Sequence, residues 1–453
     1  MVPPMEIVVA VIEGIMQLLS AMISVLLVFQ LFLSIFGFKC KTKDYEDHEP
    51  QMKFLVLIPA HNEEAVIADM INNLNSMDYP RELYDFYILA DNCTDRTAEM
   101  ARSMGANVLL SRRESPDEPT GKPIVLQKAL ETLDGYQDKY DLVMFFDADN
   151  LMDLNMFREV NSQYLSHQGK ADIIQCYLGC KNNKGPVALS DYLSYTITNR
   201  FMQYAKYRLG LNAGIGGTGF AVSAPYLHQR GGWTSMSLTE DFELQIEATC
   251  EGRKILWNNQ VRIYDEKPTR LKACFRQRTR WAQGHWYVAF KNTPRLFRAL
   301  FQGKISFWEF LSTLTTMYNL IPFVFLLAEA LLGLLMQVFV WTGLVAPGAS
   351  MVSLSSFYTL NAPGILLFVY SLFFLYYVGD WMDNRRRPHL LELPCLIVSV
   401  LINTFVSGLT HLLGLMKFRQ QSNWVKTDHS IKRSSSIAAK LIDEEKEKVT
   451  ANM

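Results

Sequence analysis

Three short groups of residues in this chain have types and spacings suited to cation and acid–base chemistry. The first is Asp147-Ala148-Asp149, which follows the apolar run Leu142–Phe146. In an extended chain residues i and i+2 point the same way, so the two carboxylates can face one ligand together. Hard divalent cations take carboxylate oxygens, and Mg²⁺ is usually held by one or two of them with substrate phosphates. A solvated turn after a strand explains Asp and Asn at these positions equally well. The second group is Thr239-Glu240-Asp241, a helix N-cap with acids in the first turn, an arrangement that is also common for purely structural reasons. Just upstream, Gly214, Gly216, Gly217 and Gly219 allow close backbone approach, as a substrate wall or as a plain loop. The third is Gln277, Arg280 and Trp281, which helical spacing puts on adjacent faces of one turn. A guanidinium binds oxyanions in a fork, and an indole offers an apolar plate. An amphipathic helix lying against a bilayer, with Arg and Trp at the interface, accounts for the same residues.

These groups need a scaffold, and the 53–300 stretch supplies alternating strand-like and helix-like segments. The spacing predicts strands at Phe54–Pro59, Asp85–Ala90, Val108–Leu110 and Leu142–Phe146. It predicts helices opening at His61–Glu64, from a Thr94 cap to Met104 with Gly105 as terminator, and over Lys122–Leu133. Ser111–Gly121 reads as a loop. Regular βαβ spacing implies a parallel sheet covered on both faces. The five-residue apolar run of the central strand fits burial on both sides. Ligands of such sheets collect at the carboxyl ends of strands. His61, Asn62 and Glu63, then Asp91 and Asn92, then Asp147 and Asp149 fall at those ends.

The 453 residues are too many for one ordinary domain, and 49% hydrophobic content with net charge −1 is too apolar for a wholly soluble chain. No basic block points to nucleic acid, and none is expected as a partner. The seven cysteines are scattered; Cys176 and Cys180 have no matching second pair, so neither zinc nor a disulfide framework is indicated. Reduced thiols on the cytosolic side are expected.

The ordered motifs resemble those of the membrane-embedded family-2 glycosyltransferases, in the group of cellulose, chitin, hyaluronan and poly-N-acetylglucosamine synthases. Ile58-Pro59-Ala60-His61-Asn62-Glu63-Glu64 resembles the first strand and uridine-contacting turn. Ala90-Asp91-Asn92-Cys93-Thr94-Asp95 matches the Asp-Asp-Gly-Ser-x-Asp element loosely, with Ala90 in place of the first Asp. Gly121-Lys122 resembles the Gly-Lys that meets the nucleotide. Asp147-Ala148-Asp149 is similar to the metal motif, Thr239-Glu240-Asp241 to the Thr-Glu-Asp carrying the base, and Gln277-Arg278-Thr279-Arg280-Trp281 to the Gln-x-x-Arg-Trp of processive members. The resemblance covers about residues 53–290.

It implies a GT-A-like α/β domain, Rossmann-type with a mostly parallel sheet, and a processive inverting transfer of UDP-glucose or UDP-N-acetylglucosamine onto a growing β-glycan that is exported. Asp241 would be the base, with Thr239 and Glu240 beside it. Glu63, Asp91, Lys122, Asp147, Gln277 and Arg280 would bind the donor, Asp147 and Asp149 would hold Mg²⁺ or Mn²⁺, and Trp281 would stack on the acceptor. The alternatives are a non-processive transferase acting on a lipid or polyprenyl phosphate, and a non-catalytic scaffold subunit.

The remaining segments read as membrane. Ile7–Phe36 is long enough to span a bilayer. It lacks a basic n-region and a clear cleavage site, so it reads as a retained helix. Lys39, Lys41 and Lys43 follow it, which places the next domain in the cytosol. Ile305–Trp341 (with Pro322 as a break), Tyr358–Trp381 and His389–Phe418 are further apolar stretches, and Arg385-Arg386-Arg387 marks a cytosolic side. Glu13, Glu329 and Asp380 are acids at membrane depth or its edge, which usually face protein. Three full spans would put the basic tail outside, so either one stretch does not cross or the kinked one crosses twice; a cytosolic tail is expected. Trp424-Val425-Lys426-Thr427 resembles the gating segment of such synthases, with Trp424, Lys426 and Thr427 over the nucleotide; Trp424 reads equally as an interfacial anchor. The expected division is an N-terminal transmembrane helix at 1–38, the cytosolic transferase domain at 39–268, interfacial helices at 269–304, C-terminal transmembrane helices at 305–418, and a cytosolic tail at 419–453, disordered at its end. Membrane lipid is thus an expected partner of a multi-pass cell-membrane protein.

Overall fold

The computed structural model describes residues 28–39, 43–113, 115, 120–319, 373–384 and 390–421, with a few isolated positions besides. Trp424–Thr427, Arg385–Arg387, Pro322, Glu13 and Glu329 lie outside them.

The first half alternates as the spacing implies. It runs β1 (Phe54–Ala60), α1 (Ile67–Asn75), β2 (Tyr84–Asp91), α2 (Thr97–Ser103), β3 (Asn107–Ser111), α3 (Lys122–Thr132) and β4 (Leu142–Phe145). The unbroken apolar runs of β1 and β4 are buried almost throughout, because helices cover both faces. Thr94 is not the cap of α2. Its peptide N–H and hydroxyl both turn to Asn62 Oδ1, and Asp95 Oδ1 accepts from Thr97 N at 3.0 Å in its place.

The second half contributes β5 (Leu151–Met152), α4 (Met156–Ser166), β6 (Ile173–Cys180), α5 (Pro186–Ile197), β7 (Phe220–Ser223), α6 (Glu240–Cys250) and β8 (Ile255–Asp265). One sheet results, in the order β3-β2-β1-β4-β7-β6-β8-β5. It is mostly parallel, as expected, and the exceptions lie in its second half: β7 runs antiparallel to both β4 and β6, and β5 antiparallel to β8. The helical excursion through α5 and a π-helical stretch at Thr198–Tyr204 returns the chain between two strands already laid down, so β7 enters in the opposite sense. On either side of β1 the order runs outward in opposite directions, to β2 and to β4, and a crevice opens at their carboxyl ends. The six described cysteines are free.

Three long helices follow: α7 (Leu271–Phe301), α8 (Phe307–Met317) and α9 (Leu393–Lys417). The first is amphipathic, and its Val288, Ala289 and Leu296 pack with Phe242 and Ile246 of α6 and Phe310 of α8. The helix α8 ends at Met317, ahead of Pro322, and its Glu309 carboxylate accepts the Asn212 N–H at 2.9 Å. That stretch therefore starts as a helix docked on the α/β domain. Among the described residues, α9 alone is long and apolar enough to cross a membrane. Several spans were expected; the rest of those stretches lies largely outside the described residues.

Two polar junctions bind these helices to the α/β domain. The Arg278 guanidinium of α7 is buried against Asp191 of α5, with Nη2–Oδ1 at 2.6 Å, and its Nη1 reaches Asn403 Oδ1 and Ser407 Oγ of α9 at 3.0 and 3.1 Å. The second junction sits at the end of helical residues 373–384. There Asp383 pairs with Arg200, accepts from Tyr177 Oη at 3.1 Å, and offers its carbonyl to Arg262 Nη2 at 2.8 Å. One turn earlier, Asp380 accepts from Tyr192 Oη and Asn384 Nδ2 at 2.7 Å, so this acid does face protein.

Candidate active site

A cleft of about 1180 Å³ opens at the carboxyl ends of β1, β2 and β4. The described residues expected to act in catalysis, donor, metal or acceptor binding line it: Glu63, Asp91, Lys122, Asp147, Asp149, Thr239, Glu240, Asp241, Gln277, Arg280 and Trp281, whereas Asn62, Asn92, Gly214 and Gly219 do not.

At one end, two tight turns bring β1 and β2 together. Asn62 and Asn92 take φ of 57° and 47°, a left-handed conformation that Asn tolerates better than most residues. His61 Nδ1 lies 2.7 Å from Asp91 O, and Asn92 Nδ2 donates to Asp91 Oδ1 at 2.7 Å. Burial raises the Asp91 pKa, with Ser111 and His61 opposing. The arrangement leaves a half-buried carboxylate at this end of the cleft, able to accept a hydrogen bond.

In the centre lies Lys122, at the start of α3. Its Nζ is 2.7 Å from Asp147 Oδ1, 2.5 Å from Gly217 O and 3.7 Å from Glu240 Oε1. Burial works against its charge, but Asp147, Glu240 and Asp241 outweigh that and raise its pKa. Asp147 and Asp149 do not form the symmetric pair that an extended chain would give. The strand stops at Phe145, and the chain turns, with Asn150 N donating to Asp147 O at 3.1 Å. The Asp147 side chain is 45% exposed and opens into the cleft. Asp149 is 6% exposed, and its Oδ2 accepts from Glu266 N at 3.3 Å. The stretch is therefore a turn, with Asp147 open to the cleft and Asp149 largely buried in its wall.

Among the described residues no three His, Cys, Asp or Glu come together as a closed metal site. The donor set nevertheless fits a hard cation. Asp265, at the end of β8, has Oδ1 buried without a partner, and its pKa is pushed up to about 6 by burial, with Asp149 and Asp147 adding and Lys267 opposing. All-oxygen ligands on one side, completed by phosphate oxygens on the other, suit a divalent ion.

At the other end, α6 starts with its acids at the positive pole of the helix. Thr239 holds the N-cap position but does not cap. Its hydroxyl has no partner among the described residues, because the side chain is packed against Gly284 of α7. Asp241 Oδ2 faces Gly217, where a Cβ would stand 3.1 Å away and the backbone φ is +80°. A residue other than Gly there would be strained and would crowd the acid. Burial raises the Asp241 pKa, and it pushes Glu240 up to about 7, Lys122 opposing and Asp241 adding. Arg280 Nη1 donates to Leu238 O at 3.1 Å, and Gln277 and Trp281 lie along the same wall.

The sequence reading missed several cleft residues. Asp265 and Glu266 end a strand that had not been delimited. His285 lies one helical turn beyond Trp281, stacks on Phe242 with ring centres 4.2 Å apart, and is kept neutral by burial, its pKa lowered to about 4. The i+4 spacing from Trp281 was the available signal. Arg419, Gln420 and Gln421, just beyond α9, also line the cleft, and nothing local marks them.

The sequence pattern of the family "Glycosyltransferase like family 2" matches residues 50–284. A probable glycosyltransferase of Bacillus subtilis, YdaM, is 26% identical over 291 residues, which are 61% of this chain and 67% of that one. A beta-monoglucosyldiacylglycerol synthase of Nostoc is 27% identical over 276 residues, 58% of this chain and 55% of the synthase. The chain thus spans about half the length of that relative. Glucomannan 4-beta-mannosyltransferase 7 of Arabidopsis thaliana is 21% identical over 402 residues, 86% of this chain and 66% of its own. In fold, the chain resembles mannosyltransferase PcManGT of Pyrobaculum calidifontis, solved with GDP-Man and Mn²⁺, at TM-score 0.51 and 17% identity over 86% of this chain and 98% of that one. With more than half of its residues matched and the motifs gathered in one cleft, the chain belongs to glycosyltransferase-like family 2.

Proposed function

We propose that the protein transfers a hexosyl unit, with inversion, from a nucleoside-diphosphate sugar to a hydroxyl presented at the membrane face, and that the acceptor is the end of a growing β-glycan. One observation carries the reading: Asp241 shares a single cleft with Lys122 and Asp147 on one side and Arg280 and Trp281 on the other. Asp241 accepts the proton of the acceptor hydroxyl, whose oxygen forms the new bond to the anomeric carbon. The bond to the diphosphate breaks with its electron pair on the departing oxygen, opposite Lys122 and Arg280. A divalent cation, Mg²⁺ or Mn²⁺, held by Asp147 and Asp149 with the diphosphate, would neutralise the charge of the leaving group. Glu63 and Asp91 hold the nucleoside, with UDP as donor nucleotide. Trp281 keeps the product end stacked while the spent nucleotide leaves, and α9 with further spans carries the glycan outward from the cytosol.

A second reading is transfer of one hexose to a glycerolipid. The likeness to the Nostoc lipid synthase favours it, as does a cleft wall that includes Arg419, Gln420 and Gln421, just beyond α9.

The test incubates the full chain in nanodiscs with UDP-glucose, UDP-N-acetylglucosamine or GDP-mannose, with Mg²⁺, Mn²⁺ or chelator, and with or without diacylglycerol. Nucleotide release and product mass are read on the same sample. Polymer formed without added lipid, and shortened by Trp281→Ala, supports the first reading. A single-hexose lipid adduct replaces it with the second. Normal turnover in Asp241→Asn, or full activity in chelator, overturns the mechanism for both.

A further inference from the structure

The loop that delivers Asp241 is held at Leu238 from two sides, and one hold comes from outside the matched residues 50–284. The Leu238 N–H donates to Gln421 Oε1 at 3.0 Å. The Leu238 carbonyl accepts from Arg280 Nη1 at 3.1 Å. These two groups belong to successive peptide planes, so together the bonds fix both soft dihedrals of Leu238. Thr239, next along, rests on Gly284. The start of α6, and with it Asp241, is set by this short stretch.

Gln421 is itself held. Its Nε2 donates to Phe418 O at 2.6 Å, and Gln283 Nε2 donates to Lys417 O and Gln420 O at 3.1 and 2.6 Å. Two glutamines therefore stitch the end of α9 to α7 and to the loop before Asp241. Arg280 is the group that a bound diphosphate would recruit; when it turns to the donor, Gln421 is the polar hold that remains on Leu238.

We propose that Gln421 is a positioning residue for the proton-accepting Asp241, and that the segment leaving the membrane-crossing helix is part of the active site. The proposal rests on the reading of Asp241 as the base. It makes a chemical distinction: the Gln421 oxygen accepts from Leu238 while its Nε2 donates to Phe418 O, so a glutamate can keep the first contact but not the second, and an alanine keeps neither.

The experiment measures kcat, donor KM and nucleotide binding for the full chain carrying Gln421→Ala, Gln421→Glu or Asp241→Asn. Gln421→Ala is expected to lower kcat about 10- to 100-fold, as for a reacting group displaced by less than about 1 Å, with donor KM within about twofold. Gln421→Glu is expected to recover part of kcat, because it keeps the acceptor for the Leu238 N–H and loses the donor to Phe418 O. Unchanged kcat in Gln421→Ala overturns the proposal. So does a raised KM at constant kcat, which would make Gln421 a donor ligand. An equal loss in both Gln421 variants, with or without nucleotide binding, reduces the residue to a tail anchor and also overturns it. Full turnover in Asp241→Asn removes the underlying base reading, whatever the Gln421 variants do.

Discussion

Gly284 lies directly against Thr239: a Cβ on Gly284 would stand 2.6 Å from Thr239 Oγ1 and 2.8 Å from its peptide nitrogen. The backbone nitrogen cannot yield without moving the first turn of α6, where Asp241 sits. Alanine in a helix interior is otherwise favourable by about 1 kcal/mol over glycine. Gly284→Ala should therefore cost about 10- to 100-fold in kcat while the fold survives. Kinetics and a melting curve on the same preparation check this; an undiminished kcat would show that α7 gives way freely.

Lys122 faces Asp147 and Glu240, and its charge opposes the burial that raises the pKa of Glu240 and Asp241. With Lys122→Met that opposition is lost, and both carboxyl pKa values rise further. The acidic limb of the pH–rate profile should move to higher pH, and donor affinity should fall. A limb that stays in place would separate Lys122 from the acids.

Burial pushes the Glu240 carboxyl up to about 7, above its ordinary 4.5, with Lys122 opposing. A carboxyl group with a raised folded pKa contributes its full stability below the unfolded value and loses it as pH rises through the folded one. Between about pH 4.5 and 7 the fold is therefore progressively weakened. Glu240→Gln, close in shape to the protonated acid, should match wild type at pH 5 and melt higher at pH 8, by at least about 2 °C. Equal melting differences at the two pH values would refute it.

Arg278 and Asp191 form a buried pair. Removing one partner strands a charge, which typically costs about 3–5 kcal/mol. Arg278→Met alone should lower the melting temperature more than Arg278→Met combined with Asp191→Leu. A double variant less stable than the single one would show that Asp191 is satisfied by its other neighbours.

Sequence alone made the sheet's first half legible, because the apolar runs of β1 and β4 admit little besides buried strands and their ends carry the polar residues. The residues nominated at the ends of β1, β2 and β4 meet in one cleft for the same reason: βαβ repetition delivers the carboxyl ends of these parallel strands to one edge, while the groups of α6 and α7 reach it from helices. What stayed hidden was set by contacts distant in sequence. Thr94 looked like a cap until Asn62, from the neighbouring strand end, engaged its N–H. Thr239 looked like another, but Gly284 fills the space its hydroxyl would need. Asp147 and Asp149 differ in exposure because the second carboxylate turns inward to the N–H of Glu266, just past β8. Gln421 carries no local signal, since its only distinguishing feature is the loop it meets.

The clamp on Asp383 has a metric consequence. Arg200 and Arg262 bolt the end of the 373–384 helix to the sheet, and Arg278 fastens α9 from the other side. With two separate fastenings the cleft can neither roll nor lift relative to those helices, and the distance from α9 to Asp241 becomes a constant of the molecule. On the proposed reading, with α9 in a bilayer, an acceptor hydroxyl would have to be presented at that distance. The reach of the acceptor would then be a criterion of selection in its own right, alongside the chemistry of the group that carries the hydroxyl.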